Sequence, residues 1–185
     1  MNTYIALLRG INVGGHKKIK MADLKEMLEN LGFSAVVTYI QSGNVVFRDA
    51  SENIDVLEAK IQNAIKKRFD FDVPVLIITQ DTLSGILNKN PYTKRLENGN
   101  IDDKKMYFML LCDEPDPFAV EELSKVSFDP EEFMITKNVI YLFAANGYGK
   151  TKLHNNFFEK KLKCKTTTRN LRTLSKLLEL SFLKN

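Results

Sequence analysis

The hydrophobic pattern of the first eighty residues alternates between short strand-like runs and longer helical repeats. Four apolar, β-branched runs typical of strands occupy residues 3–8, 35–40, 44–47 and 73–79. Apolar side chains spaced by three and four predict two amphipathic helices, one from Met21 to a glycine terminator at Gly32 and one from Ile54 to Phe69. This order of strands and helices is that of the split βαβ, or ferredoxin-like, unit.

The same order of elements returns in the second half of the chain. Strand-like runs occupy residues 105–112, 133–136, 139–144 and 165–168, and helical repeats occupy 118–126, 153–162 and 171–182. The residues themselves do not repeat, so the duplication is inferred from element order alone. We therefore predict an α+β fold in which two ferredoxin-like (βαββαβ) halves pack together through their helix-free sheet faces, with a C-terminal helix.

A polar stretch separates the two halves. Residues 81–103 begin with a short helical repeat and continue as NKNPYTKRLENGNIDD, which is rich in turn-forming and charged residues. We predict an N-terminal half at residues 1–80, a helical and loop linker at 81–103, and a C-terminal half with the terminal helix at 104–185.

Four stretches of the sequence are similar to a known protein family: ALLRGINVGGHKKIKM, LGFSAVVTYIQSGNVVF, GYGKTKL and TTTRNLRTLSKLLEL. They resemble the family called domain of unknown function 1697, and the resemblance extends over essentially the whole chain. It implies a bacterial-type cytosolic protein with a two-part α+β fold and no established reaction. That family often has an aromatic residue after the Arg-Asn pair, where this chain has Leu171, and this departure disfavours base stacking there.

Basic residues are concentrated toward the C-terminal end. The net charge of +4 divides into +3 for residues 1–48, −7 for residues 49–145 and +8 for residues 146–185. A segment this basic is either a solvated surface or a binding site for an anionic partner. No apolar run reaches the ~18 residues of a membrane span, and the first residues lack the features of a signal peptide. A cytoplasmic location without membrane contact is therefore expected.

The chain offers few metal ligands or catalytic groups. Cys112 and Cys164 are far apart, without metal-binding spacing, and are expected to be unpaired thiols. With only His16 and His154 in addition, we expect neither a metal nor a cofactor. No Ser/His/Asp motif is present, which leaves His16 as the one candidate acid–base residue, although a single histidine in such a loop is more often incidental.

A glycine-rich loop, residues 9–18, follows the first predicted strand. Its backbone N–H groups and basic side chains suit a phosphate site or a movable lid, and the alternative is a plain crossover to the next helix. The candidate phosphate-binding residues are Arg9, Asn12, Gly14, Gly15 and Lys17. Ser42 and Asn44 in the predicted hairpin turn join this set, and the alternative for both is a structural role in the turn.

A second glycine-rich loop, AANGYGKT at residues 144–151, satisfies a loose P-loop pattern between a strand and a helix. Only thirty-four residues follow Thr151, which argues against a nucleoside triphosphatase. The remaining alternatives are anion binding at a helix N-terminus by Gly149, Lys150 and Lys152, or a tight glycine turn. Arg169 and Asn170 precede the terminal helix and are further candidates for phosphate contact.

These features favour a binding module for a phosphate-bearing partner, with nucleic acid preferred over a nucleotide. One alternative is an enzyme acting on a small phosphorylated metabolite, with His16 or Lys150 near the chemistry. The other is a protein-interaction module. The sequence identifies no reaction and no oligomeric state.

Overall fold

The computed structural model describes residues 1–183, which form two compact units. Unit 1 comprises Met1–Gly85 and the described part of Lys176–Asn185, and unit 2 comprises Ile86–Ser175. Each unit contains one four-stranded sheet. The predicted α+β fold of two ferredoxin-like halves with a C-terminal helix is confirmed.

Unit 1 follows the predicted βαββαβ order. Its elements are β1 (Asn2–Leu8), α1 (Met21–Asn30), β2 (Ser34–Tyr39), β3 (Asn44–Asp49), α2 (Ile54–Phe69) and β4 (Val75–Thr79). The strands lie in the order β2-β3-β1-β4, and each is antiparallel to its neighbours. The central strands β1 and β3 are in register with Tyr4 opposite Phe47.

The stretch between the two sheets is more helical than predicted. It contains α3 (Gln80–Asn88), α4 (Thr93–Glu97) and a short 3₁₀ turn at Asp103–Lys105. The sequence pattern predicted only the first of these helices. A helix of five residues is little more than one turn, so it shows no apolar repeat that would separate it from a loop.

Unit 2 repeats the topology. Its elements are β5 (Met106–Leu111), α5 (Pro117–Ser124), β6 (Glu132–Ile135), β7 (Val139–Phe143), α6 (Asn155–Leu162) and β8 (Thr166–Asn170), and α7 (Leu171–Ser181) follows. The strand order β6-β7-β5-β8 is the order of the first sheet. The helix α6 begins two residues later than predicted, because the Thr151 hydroxyl accepts the Leu153 N–H in a turn of its own.

Each sheet carries its own helices on one face and buries apolar side chains beneath them. In unit 1 this core joins Phe47 of the sheet to Leu28 of α1 and Ile61 of α2. In unit 2 it joins Leu142 to Phe158, whose ring packs edge-on against Phe133 and Phe157. Phe158 is fully buried in this core, and the partly buried Phe157 packs against it. Each fully buried side chain of this size contributes roughly 1.5–3 kcal/mol by leaving water.

The helix-free faces of both sheets are buried as well. Ile5 and Val46 in the first sheet are 0% and 4% exposed, and Phe108 and Tyr141 in the second are 0% and 2% exposed. Neither sheet therefore presents exposed aromatic rings on which nucleobases would stack.

One edge strand of each sheet is covered in the same way. The Glu58 carboxylate of α2 accepts the Ile77 N–H of β4 at 2.6 Å. The Glu159 carboxylate of α6 accepts the Thr166 N–H of β8 at 2.7 Å. Each carboxylate occupies an edge N–H that would otherwise be open to pairing with another strand.

Within residues 1–183, every helix is too short or too polar to span a bilayer.

Candidate functional site

Asn12 fastens the first glycine-rich loop to two neighbouring segments. Its amide Nδ2 donates to the carbonyl oxygens of Ile19 at 2.9 Å and Gln41 at 2.8 Å, and its Oδ1 accepts the Ile19 N–H at 2.9 Å. Both amide hydrogens are thereby used within the protein. Asn12 connects the loop to the start of α1 and to the β2–β3 turn, which is a structural role.

The β2–β3 turn packs directly on the end of β1. Gly43 accepts the Leu8 N–H at 2.8 Å, and a Cβ atom at Gly43 would lie 2.6 Å from the Leu8 Cβ. Its φ of +72° is also one that glycine adopts without strain. The buried Asn44 donates to the Tyr39 carbonyl and to the Ser42 hydroxyl, both at 3.1 Å. The structure thus brings Asn12, Ser42 and Asn44 together as a scaffold.

The remaining candidates of the first loop are spread along it. Arg9 is half-buried, and its backbone N–H donates to the Pro74 carbonyl at 2.9 Å. Gly14 and Gly15 form the exposed tip. The ammonium of Lys17 donates to the backbone carbonyl of Asp72.

The second glycine-rich loop forms turns whose N–H groups bond within the loop. The Gly147 N–H donates to the Ala144 carbonyl at 2.8 Å, and the Lys150 N–H donates to the Gly147 carbonyl at 3.1 Å. Thr151 is buried and donates to the Glu131 carboxylate. Two N–H groups of the loop are thus occupied within the protein, and α6 begins only at Asn155, so the loop does not lead directly into a helix N-terminus as a P-loop does.

Arg169 and Asn170 at the end of β8 serve the fold. The Arg169 guanidinium donates to the Thr168 carbonyl at 2.8 Å and to the Thr167 hydroxyl at 3.3 Å. Burial lowers the pKa of Arg169 to about 10. The Asn170 Oδ1 accepts the Thr173 N–H at 2.8 Å and so caps the first turn of α7.

Six lysines surround α6 and form what we call the α6 lysine cluster. They lie before the helix, on it and after it: Lys150, Lys152, Lys160, Lys161, Lys163 and Lys165. All six are exposed, and none forms an ion pair within residues 1–183. Only Lys150 and Lys152 are among the binding residues predicted from the sequence.

Two arginines of unit 2 are paired with carboxylates. Arg95 contacts Glu132 at 2.7 and 3.0 Å, and Arg172 contacts Asp103 at 2.8 and 2.9 Å. The bond from Arg172 lowers the pKa of Asp103. Arg172 belongs to the same basic stretch of sequence, so only the structure separates it from the α6 lysine cluster.

An open cavity of about 520 Å³ lies beside the cluster. Its lining consists of Asp113, Glu159, Lys163, Cys164 and Lys165. The antiparallel pairing of β5 with β8 produces it, since Leu111 lies opposite Thr166 and the Cys112 N–H donates to the Lys165 carbonyl at 2.9 Å. Asp113 and Cys164 are distant in sequence, so no local motif indicates this cavity.

Cys164 forms a buried part of that lining. Burial, together with the negative charges of Asp113 and Glu159, raises the pKa of the Cys164 thiol. The thiol is therefore neutral near pH 7 and acts as an apolar surface rather than as a nucleophile. Among residues 1–183, no group of three or more His, Cys, Asp or Glu side chains is placed to hold a metal ion.

A solved structure shows the same fold as this chain, and a family model shows the family. The structure of conserved bacterial protein SP0830 from Streptococcus pneumoniae matches with a TM-score of 0.74 at 24% identity, over 97% of this chain and 98% of that chain. No curated protein matches. The family model described as "Protein of unknown function (DUF1697)" matches residues 1–141, a range that includes both segments fastened together by Asn12. The chain therefore belongs to the DUF1697 family.

Proposed function

We propose that this protein binds the sugar-phosphate backbone of a nucleic acid through the α6 lysine cluster. The observation that carries the proposal is the absence of any ion pair for these six exposed lysines within residues 1–183. Like charges held close together repel, and a bound polyanion relieves that repulsion. Lysine–phosphate contacts of this kind supply most of the sequence-independent affinity of nucleic-acid-binding proteins.

The spacing of the lysines suits an extended polyanion. The helix α6 has eight residues, which corresponds to roughly 12 Å along its axis. Lys150 and Lys152 precede its first turn, and Lys163 and Lys165 follow its last. Because one strand of B-DNA advances about 3.4 Å per phosphate, the helix alone is as long as three to four nucleotides.

Within this proposal the contacts are made by side chains and are therefore sequence-independent. The N–H groups of Gly147 and Lys150 bond within the second glycine-rich loop, and Arg169 donates to its own strand. Lysine ammonium groups on exposed side chains contact phosphates as point charges rather than in fixed bidentate geometry. The expected binding mode of the α6 lysine cluster itself is thus strongly salt-dependent and without base preference.

The test is fluorescence anisotropy with a labelled twelve-nucleotide single-stranded RNA and a DNA duplex of the same length, measured across a potassium chloride series. In one variant Lys150, Lys152, Lys160 and Lys161 are all replaced by Gln. We expect the slope of log K against log salt to fall by about three to four units, since each lysine–phosphate contact contributes close to one. Lys163 and Lys165 are retained so that the cavity keeps its lining.

The matched control replaces Lys67, Lys89, Lys94 and Lys104 by Gln. These four lysines are exposed, lie outside the α6 lysine cluster and form no ion pair in the described part of the chain. The control removes the same charge and should leave the salt slope of the wild type. Equal losses in the two variants, or binding that does not change with salt, would overturn the proposal.

A further inference from the structure

We infer that the cavity lined by Asp113, Glu159, Lys163, Cys164 and Lys165 binds one nucleotide whose base carries an exocyclic amine. This inference rests on the proposed function, because it assigns the cavity to the same partner that the α6 lysine cluster contacts. Its volume of about 520 Å³ lies within the usual range of small-ligand sites, roughly 300–1,000 Å³.

Two exposed lysines and the Asp113 carboxylate line this cavity without pairing with one another. Lys163 and Lys165 are exposed, and neither forms an ion pair with Asp113. Asp113 itself has no cationic partner among residues 1–183. A ligand that carries both an anionic group and N–H donors would satisfy both sides of the cavity at once.

The two carboxylates of the cavity differ in their hydrogen bonding. Glu159 already accepts the Thr166 N–H at 2.7 Å and is held by the edge of the sheet. Asp113 follows β5 on an exposed segment and has no such bond. Asp113 is therefore the group that accepts hydrogen bonds from a ligand, and Glu159 has a mainly structural role at the cavity wall.

The charged groups that line the cavity match the chemistry of a nucleotide. A nucleotide presents phosphate to lysine and base-edge N–H groups to a carboxylate, which accepts from the amines of bases. The neutral thiol of Cys164, which is mostly buried among the lining residues, suits the flat face of a base better than a fully solvated ligand. Uracil and hypoxanthine lack the exocyclic amine and satisfy Asp113 less completely.

The experiment compares GMP with IMP, which differ only by the exocyclic amine, using isothermal titration calorimetry. We expect GMP to bind about tenfold or more tightly than IMP, since one good base-edge contact discriminates by that factor or more. In Asp113→Asn the preference for GMP should disappear. The control Glu114→Gln alters the adjacent carboxylate, which pairs with Lys137 at 3.1 Å and does not line the cavity, and it should retain the preference.

The outcomes separate this inference from the proposed function. Binding of twelve-nucleotide RNA with no binding of GMP, or equal binding of GMP and IMP, overturns the nucleotide site and leaves the lysine proposal standing. Preference for GMP without salt-dependent binding of RNA overturns the proposed function and leaves the cavity as a site for free nucleotides. A 3′-terminal guanosine that binds better than internal guanosine assigns the cavity to a strand end.

Discussion

Unit 1 and unit 2 share one topology and differ in how the charges at the end of their second helix are balanced. In unit 1, Lys66 near the end of α2 contacts Asp70 at 2.9 Å and Asp72 at 3.3 Å, and these bonds raise its pKa. In unit 2, Lys160 and Lys161 near the end of α6 have no such partners within residues 1–183. The fold therefore forms with this region paired or unpaired, so the unpaired lysines are not a requirement of the architecture.

Several backbone contacts correspond between the units. The Leu8 N–H donates to Gly43 in unit 1 at 2.8 Å, and the Leu111 N–H donates to Asn138 in unit 2 at 2.9 Å. Both acceptors precede the third strand of their sheet. These contacts, with Glu58 and Glu159 at the edge strands, show a structural repeat that the side chains do not reveal.

Substitutions in the hairpin turns should produce the largest difference in stability loss between the two units. Gly43→Ala places a Cβ 2.6 Å from the Leu8 Cβ in a backbone region that disfavours side chains. We expect a loss of about 2–4 kcal/mol of unfolding free energy, from overpacking and backbone strain together. Urea denaturation followed by circular dichroism measures it.

The corresponding change in unit 2, Asn138→Ala, should cost less than about 0.5 kcal/mol, because Asn138 is exposed and its backbone makes the contact. A second control, Gly15→Ala, adds a Cβ that meets nothing within 4 Å at a φ of +80°. It should cost about 1 kcal/mol from backbone strain alone. If Gly43→Ala is no worse than Gly15→Ala, the close packing of the turn on β1 does not limit stability.

The sequence predicted the strands and helices well because their signals are local. The apolar run of β1 and the apolar repeat of α2 each occupy one continuous segment, and α2 begins and ends at the predicted residues. The site was less predictable because it depends on pairing between distant segments. Asp113 and Cys164 line one cavity only because β5 lies beside β8.

The polar residues of the family signature show a second reason why the site could not be predicted from the sequence. From the sequence, Asn12 in the glycine-rich loop and Ser42 and Asn44 in the hairpin turn are candidates for phosphate binding. The structure uses their amide and hydroxyl groups to hold the loop and turn together. A motif that defines a family can thus record a folding requirement as readily as a ligand, and the sequence alone does not separate the two.

Replacing the carboxylates that cover the edge strands tests whether these corresponding contacts contribute equally to the stability of the two units. Glu58→Ala and Glu159→Ala each remove the acceptor of one edge N–H, and we expect each to cost about 1–3 kcal/mol. Glu→Gln at either position keeps an acceptor oxygen and should cost less. Hydrogen exchange measured by NMR should show faster exchange of the Ile77 amide in the first variant and of the Thr166 amide in the second. Unchanged exchange at these amides would show that the carboxylates do not protect the edges.

Replacing the residue that follows the second helix of each unit has the smallest expected effect on the free energy of unfolding. Asp70 after α2 and Lys163 after α6 both adopt left-handed conformations, with φ of +58° and +55°. Glycine at either position removes the strain of a side chain in that region, which is worth up to about 1 kcal/mol. The helix dipole makes the two cases unequal, because it disfavours the Asp70 carboxylate and favours the Lys163 ammonium at a C-terminus.

We therefore expect Asp70→Gly to stabilise by about 1 kcal/mol and Lys163→Gly by roughly half as much, measured by thermal unfolding. Asp70→Asn removes the charge but keeps the side chain, so it measures the dipole contribution together with the loss of the exposed Lys66–Asp70 ion pair. Greater stabilisation from Lys163→Gly than from Asp70→Gly would mean that repulsion within the α6 lysine cluster outweighs the favourable helix dipole. That result would strengthen the contrast between Lys66 of unit 1, which is paired with carboxylates, and the lysines of unit 2, which are not.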